Sequence, residues 1–140
     1  MIIIGEKING AIPSIKQAIA ERNEALIIER TLAQAAAGAN FLDCAPSTAT
    51  EIEYETMVWL IGLMQGATNV PLCIDSPNAK LLARVIEEGH LNKPGMVNSV
   101  NEEGDKCETI FPLIAGTPWE VVGLTCDQEG IPADPAKKVE

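Results

Sequence analysis

Short apolar segments alternate with longer segments of helical periodicity along this chain, and the alternation restricts the possible folds more than any other feature. The apolar segments predict strands at residues 2–4, 41–43, 70–75, 96–98 and 120–125. The intervening segments predict helices over residues 15–37, with a break near Asn23, and over residues 51–65, 78–88 and 105–115. Strands that alternate with helices pair in parallel through right-handed crossovers. The sequence therefore predicts an α/β fold with one parallel sheet.

Two parallel folds fit such an alternation, and the spacing of glycines separates them. A dinucleotide-binding fold carries GxGxxG after its first strand, whereas Gly5 and Gly10 do not have that spacing. The other fold is the parallel (β/α)8 TIM barrel, which takes about 250 residues. The 140 residues supply about five of the eight βα units. We therefore expect a single domain over residues 1–140, an incomplete TIM barrel that stops before its sixth strand.

The composition excludes several classes of function. The chain has 10 basic and 20 acidic side chains and a formal net charge of −10, so nucleic-acid backbones and anionic membranes repel it. No apolar run approaches the roughly 20 residues that cross a bilayer, and the first residues lack the basic region of a signal peptide. The four cysteines show neither CxxC pairs nor zinc-ligand spacing, which predicts a reduced, cytoplasmic protein without a metal site.

Polar residues follow the predicted strands at the points where the strands end. Because the carboxyl ends of parallel strands share one face, which holds the active site in such folds, these side chains converge. Asp and Ser at such positions also cap helices, and Ser76 is expected to cap the helix at 78–88. For Asp75 and Asn98 together, a binding site is the better explanation. The candidate binding residues are Glu6, Asn9, Asp43, Asp75, Ser76, Asn98 and Asn101.

The predicted opening at the carboxyl ends of the strands, here called the mouth, is lined by carboxylates and carboxamides. Such a lining suits a particular kind of ligand. An ionised carboxylate only accepts hydrogen bonds, whereas a carboxamide both donates and accepts them. A ring with adjacent N–H donors, such as the amino-pyrimidinone edge of a pterin, is matched by one carboxylate that accepts two bonds. Charge-assisted bonds of this kind are strong and discriminate between ligands. An acidic mouth does not suit a bare phosphate.

The helix predicted over residues 51–65 is expected to have an ordinary structural role. Its apolar side is expected to include Ile52 and Met57, in contact with the sheet. Its acidic run consists of Glu51, Glu53 and Glu55. These side chains are expected to be solvated at the helix N-terminus, where the helix dipole favours negative charge.

The motifs around the strand ends, taken in order, resemble a known family. They are IIGEKING at residues 3–10, FLD at 41–43, LCIDS at 72–76, VNSVN at 97–101 and GLT at 123–125. Together they are similar to the methyltetrahydrofolate–corrinoid protein methyltransferases, which belong to the pterin-binding superfamily that also holds dihydropteroate synthase. The resemblance runs from residue 1 to about residue 132. The ordered series carries it, since each motif alone is weak.

This resemblance implies a TIM barrel that holds a pterin at its C-terminal face. By the family pattern Asp75 would accept bonds from the pyrimidine edge and Asn98 would bind the ring, while Glu6, Asn9 and Asp43 would line or support the pocket. The substrate would be tetrahydrofolate or methyltetrahydrofolate. The reaction would move a methyl group between its N5 and the cobalt of a corrinoid that a partner protein carries, with no metal in this chain itself.

Two departures from the family pattern bear on function. After Asp43 the chain continues Cys44-Ala45-Pro46-Ser47, where many of these methyltransferases have an Asn-Val-Gly-like turn, which suggests a divergent subfamily. The family's later pocket Asp and the Asn near N5 would lie beyond residue 140, so the catalytic residues are unknown. Lys7 is a candidate to attract the anionic glutamate tail of folate, and equally a surface lysine.

Two alternatives stay open. A dihydropteroate synthase would share the pterin site, but it needs basic residues late in the barrel, and the Glu6-Lys7-Ile8-Asn9-Gly10 opening favours the methyltransferase. The other alternative is a non-catalytic truncated fragment. Five parallel strands leave two unpaired edges, which favour a homodimer or association with a missing half. Two copies would supply ten strands, whereas a TIM barrel has eight, so a dimer would not simply close into such a barrel.

Overall fold

The computed structural model describes residues 1–126 and 131, which form five strands and five helices. The strands are β1 (Ile4–Gly5), β2 (Phe41–Cys44), β3 (Leu72–Asp75), β4 (Met96–Val100) and β5 (Glu120–Gly123). The helices are α1 (Pro13–Glu21), α2 (Glu24–Ala36), α3 (Thr50–Ala67), α4 (Ala79–Glu87) and α5 (Lys106–Ile114). The predicted order of elements is confirmed, including the break near Asn23. Within the described residues no helix combines the length and apolar character that a membrane crossing requires.

The five strands lie side by side in the order in which they occur along the chain. Each pairs in parallel with its predecessor, so the sheet order is β1-β2-β3-β4-β5. Right-handed crossovers that always advance in one direction put every helix on the same face of the sheet. The sheet curls away from the helices into a half-barrel. This arrangement confirms the incomplete TIM-barrel fold, because a doubly wound sheet reverses its strand order.

The two faces of the sheet bury different sets of side chains. The face toward the helices forms the main core, to which Leu42, Ile74 and Val97 contribute from the strands. The concave face carries a smaller cluster, and side chains alternate between the two faces along each strand. The members of that smaller cluster are Phe41, Cys73 and Met96, with Ile4 and Val122 packed against them. The concave face therefore has an apolar floor below the strand ends.

Asparagine side chains begin two of the helices. Asn23 accepts a hydrogen bond from the Leu26 N–H at the start of α2, at 3.2 Å. Asn78 does the same for the Leu81 N–H at the start of α4, also at 3.2 Å. Such caps satisfy N–H groups that have no partner within the helix. The expectation that Ser76 caps α4 was therefore wrong, since Asn78 occupies that position.

The predicted apolar side of α3 is confirmed from Met57 onward and departs from the prediction only in the first turn of the helix. Ile52 is 51% exposed, whereas Glu53 is 6% exposed and lies on the same side as Met57 and Leu60, which are fully buried. Residues 53, 57 and 60 follow the i, i+4, i+7 spacing of one helix face. The expectations that Ile52 packs on the sheet and that Glu53 is solvated were both wrong. The spacing of Glu53 from Met57 and Leu60 places it on this face, but a carboxylate is normally solvated unless a partner is available.

Candidate functional site

Three polar side chains from neighbouring strands rise from the concave face near the carboxyl ends of those strands. Asp43 lies two residues after Phe41 of the apolar floor and is paired in register with Cys73. Asp75 is paired in register with Asn98 on the next strand. Residues paired across parallel strands point to the same side of the sheet. The fold thus brings Asp43, Asp75 and Asn98 together inside the half-barrel.

Asp43 is the most deeply buried of these groups. It is 1% exposed, and its Oδ1 has no hydrogen-bond partner among the described residues. Burial raises the pKa of Asp43 to about 7, and the negative charges of Asp75 and Glu6 act in the same direction. Hydrogen bonds from the side chains of Asn98 and Cys73 lower it in part. Asp43 can therefore hold a proton near neutral pH.

Asp75 shares this acidic surrounding. Burial raises the pKa of its carboxyl group, and the charges of Glu6 and Glu53 raise it further. The charges of carboxylates at the ends of β1, β2 and β3, and of Glu53 from α3, therefore act on one another at this end of the sheet. Charges of one sign in a half-buried site repel each other, and a ligand that donates hydrogen bonds relieves that repulsion.

Ser76 joins the mouth to α3 and does not point into the cavity as a free ligand group. Its hydroxyl donates to Glu53 Oε1 at 2.5 Å and accepts from the Asn78 N–H at 3.0 Å. Ser76 and Glu53 are 4% and 6% exposed. This buried pair fixes the start of α4 and holds the Glu53 charge close to Asp75. Glu53 is a candidate site residue that the sequence interpretation missed.

Asn9 and Asn101 have their side-chain groups engaged within loops. The Asn9 Oδ1 accepts from the Ala11 N–H at 2.8 Å and from the Ser47 hydroxyl at 3.1 Å. Asn101 accepts from the Glu103 N–H at 3.2 Å, and its amide group lies 3.2 Å from the sulfur of Cys126. Both side chains hold the loops that surround the mouth. Their placement supports the site from its rim, whereas Asp43, Asp75 and Asn98 form its interior.

Glu6 follows β1 directly, at the same end of the sheet as Asp43 and Asp75. Its side chain is exposed, and its charge acts on both Asp43 and Asp75. Within the described part of the chain, no three His, Cys, Asp or Glu side chains are grouped closely enough to hold a metal ion. The arrangement offers several acceptors and one carboxamide, which suits a planar ring with adjacent N–H donors.

Comparison with known proteins gives one informative relative. No protein-family model matches the chain. The chain is 50% identical, over all of its residues, to a methylcorrinoid:tetrahydrofolate methyltransferase of Eubacterium limosum. It spans about half the length of that curated relative, 52%. The identity confirms the family resemblance that the ordered motifs indicated.

Proposed function

We propose that this chain forms the pterin-binding part of a methyltransferase that acts on a methylcorrinoid and tetrahydrofolate. The observation that carries the proposal is the 50% identity over the full chain to an enzyme of that name. The concave face supports it independently, since Asp43, Asp75 and Asn98 converge where a TIM barrel binds its substrate. The comparison does not favour the dihydropteroate synthase alternative.

In this proposal the acidic interior binds the pterin by its donor edge. Asp75 accepts hydrogen bonds from the 2-amino group and the adjacent ring N–H, and Asn98 reads the remaining donor and acceptor of the ring. Glu6 and Asp43 line the pocket, and Ser76 orients Glu53 behind Asp75. A buried carboxylate that accepts two bonds discriminates strongly against rings that lack those donors.

The charge of this site also suits the reaction at N5. When the N5 of tetrahydrofolate takes a methyl group from the methylcorrinoid substrate, the nitrogen becomes positive and then loses its proton. An acidic interior favours such a positive charge on the bound ring through its electrostatic field. The methyl group comes from a corrinoid that a partner protein carries, and the groups that act directly on N5 are expected outside these 140 residues.

The edges of the sheet indicate how the barrel would be completed. Along the described chain β1 pairs only with β2, and β5 pairs only with β4. Ile3 at the β1 edge is 51% exposed and Leu124 at the β5 edge is 48% exposed. We propose one domain whose remaining three βα units pair with these two edges. A second copy of the chain is the alternative, and sedimentation of the purified chain separates a monomer from a dimer.

Calorimetric titration of the chain with tetrahydrofolate tests the pterin site. We expect saturable binding that Asp75→Asn weakens by about 1–3 kcal/mol, because a buried ligand donor then meets the wrong partner. Asp105→Asn is the matched control, since the Asp105 side chain is 60% exposed and forms an ion pair with Lys80. Equal affinities for wild type and Asp75→Asn would remove Asp75 from the site.

A methyl-transfer assay tests the activity itself. The chain, with the remaining barrel units supplied on a second polypeptide, is mixed with methylcobalamin and tetrahydrofolate, and the visible spectrum of the corrinoid is followed. We expect demethylation of the corrinoid that depends on tetrahydrofolate. A folded, pterin-binding assembly that leaves methylcobalamin unchanged would contradict the proposed activity and leave the binding role.

A further inference from the structure

Two cysteines from different elements contact the same residue, Asn101, which follows β4 directly. The S–H group of Cys107 donates to the Asn101 carbonyl oxygen at 3.3 Å, and the Asn101 side-chain amide donates to the sulfur of Cys126 at 3.2 Å. Cys107 lies in the first turn of α5, and Cys126 lies three residues after the end of β5. The fold thus brings two thiols against the main chain and the side chain of one asparagine.

The pairing of β4 with β5 holds these two segments beside each other. Val100 is paired in register with Gly123, and the Leu124 N–H donates to the Val100 carbonyl at 2.9 Å. The Cys126 carbonyl then accepts from the Glu102 N–H at 3.5 Å. These bonds run the segment after β5 along the loop that leads from β4 into α5. The proximity of the two thiols therefore follows from the backbone as well as from their side chains.

The four cysteines, all of them free thiols, divide into an accessible pair and an inert pair. Cys107 and Cys126 are half-buried, whereas Cys44 and Cys73 are 0% exposed. Burial also raises the pKa of the Cys44 and Cys73 thiols. Because the thiolate is the nucleophile and has to meet its reagent, these two buried thiols are protected from oxidants in solution. Oxidation is therefore directed to Cys107 and Cys126.

We propose that Cys107 and Cys126 form a redox-sensitive pair that a peroxide closes into a disulfide. The thiolate of one cysteine attacks the peroxide, so that an S–O bond forms, the O–O bond breaks and the departing oxygen takes up protons to leave as water. The thiol of the other cysteine attacks this sulfenic sulfur, so that the S–S bond forms, the S–O bond breaks and a second water leaves. Two thiols are oxidised and one peroxide is reduced, and a dithiol reductant reverses the change.

Closure of the disulfide changes the rim of the mouth, because it removes the contacts of both sulfurs with Asn101. The Cys107 sulfur loses the hydrogen that it donates to the Asn101 carbonyl, and the Cys126 sulfur is drawn to about 2 Å from that of Cys107. Asn101 is 6% exposed, and its Oδ1 also accepts from the Glu103 N–H at 3.2 Å. Oxidation therefore ties the segment after β5 to α5 and releases the side-chain amide of Asn101.

Peptide mapping by mass spectrometry tests the pair directly. The chain is treated with hydrogen peroxide, unfolded in urea, blocked with N-ethylmaleimide and digested with trypsin. Trypsin separates the two pairs, because Cys44 and Cys73 leave on peptide 31–80 and Cys107 and Cys126 leave on peptide 107–137. We expect peptide 107–137 to lose two hydrogen atoms and to carry no maleimide, while peptide 31–80 carries two. Two maleimides on peptide 107–137, an equal loss on peptide 31–80 or a disulfide between two chains would overturn the proposal.

Single-cysteine variants test whether the two thiols react with each other. In Cys107→Ser and Cys126→Ser the remaining thiol stops at the sulfenic acid, which dimedone traps, whereas in wild type the second thiol consumes it. We expect about tenfold more dimedone adduct in these variants than in wild type. Cys44→Ala leaves the pair intact and is the matched control, with as little adduct as wild type. Equal adduct in wild type and in the single-cysteine variants would overturn the proposal.

Nuclear magnetic resonance of the ¹⁵N-labelled wild type reports on the rim itself. We expect the side-chain amide signals of Asn101 to move on treatment with hydrogen peroxide and to return with dithiothreitol. Asn78, whose side chain caps α4, supplies control signals that should not move. Asn101 signals that stay in place while the disulfide forms would overturn the release of its amide.

Discussion

Replacing Asp43 by Asn removes a buried carboxyl group and keeps the shape of its protonated form. Burial and the charge of Asp75 raise the pKa of Asp43 from 3.8 to about 7. A carboxyl group with a raised folded-state pKa favours folding most below pH 3.8, and this stability is lost as the pH rises through 7. The full loss corresponds to about 4 kcal/mol. About 2–3 kcal/mol of it falls between pH 5 and pH 8.

Urea unfolding of wild type and Asp43→Asn at pH 5 and pH 8 measures this effect. We expect the free energy of unfolding of the variant to rise relative to wild type by about 2–3 kcal/mol between the two pH values. Asp105→Asn is the control, because the Asp105 side chain is 60% exposed. Its difference from wild type should stay within about 0.5 kcal/mol at both pH values. A difference between Asp43→Asn and wild type that does not change with pH would refute the reasoning.

Two further predictions concern packing, and each has a control in the same chain. Met57→Ala should lower the free energy of unfolding by about 2–5 kcal/mol, because the side chain is fully buried. Ile52→Ala should change it by less than about 0.5 kcal/mol, because this side chain is 51% exposed. Similar losses in the two variants would contradict the observed burial along α3. Gly10→Ala should lower it by about 1–3 kcal/mol, because a Cβ atom there would lie 1.9 Å from the Pro46 carbonyl oxygen. Gly62→Ala, in α3 with no atom within 4 Å of such a Cβ, should raise it by about 0.5–1 kcal/mol. Urea unfolding checks all four variants, and a neutral Gly10→Ala would show that the two loops are not in close contact.

The sequence was sufficient to predict the sheet and the convergence of Asp43, Asp75 and Asn98 at one end of it. Strand segments such as FLD and LCID are apolar up to a terminal carboxylate, so burial and chain direction together place Asp43 and Asp75 at one end of a parallel sheet. The same argument places the Asn98 side chain at this end of the sheet, on β4. These inferences need only local patterns and one rule about parallel strands.

The burial of Glu53 in the first turn of α3 and the cap of α4 could not be predicted from local sequence patterns. A carboxylate is normally solvated, so local patterns predict an exposed Glu53. Its burial depends instead on a tertiary partner, the Ser76 hydroxyl. Ser76 and Asn78 are both common capping residues, and only the backbone path after β3 decides which one reaches a free N–H. Contacts between distant segments therefore decided both outcomes.

Pairing of strands in chain order has a consequence for how the protein acquires its structure during synthesis. Each strand has its partner already available when it leaves the ribosome, so the helix-covered face can become ordered step by step. The concave face becomes ordered in the same sequence, because the side chains of Phe41, Cys73 and Met96 are already buried against one another in the five-stranded sheet. Asp43 is 1% exposed in this sheet, so its carboxyl group loses its hydration once the neighbouring strands are in place. Uptake of a proton by Asp43 would then accompany the pairing of the strands beside it, before any further strand is added.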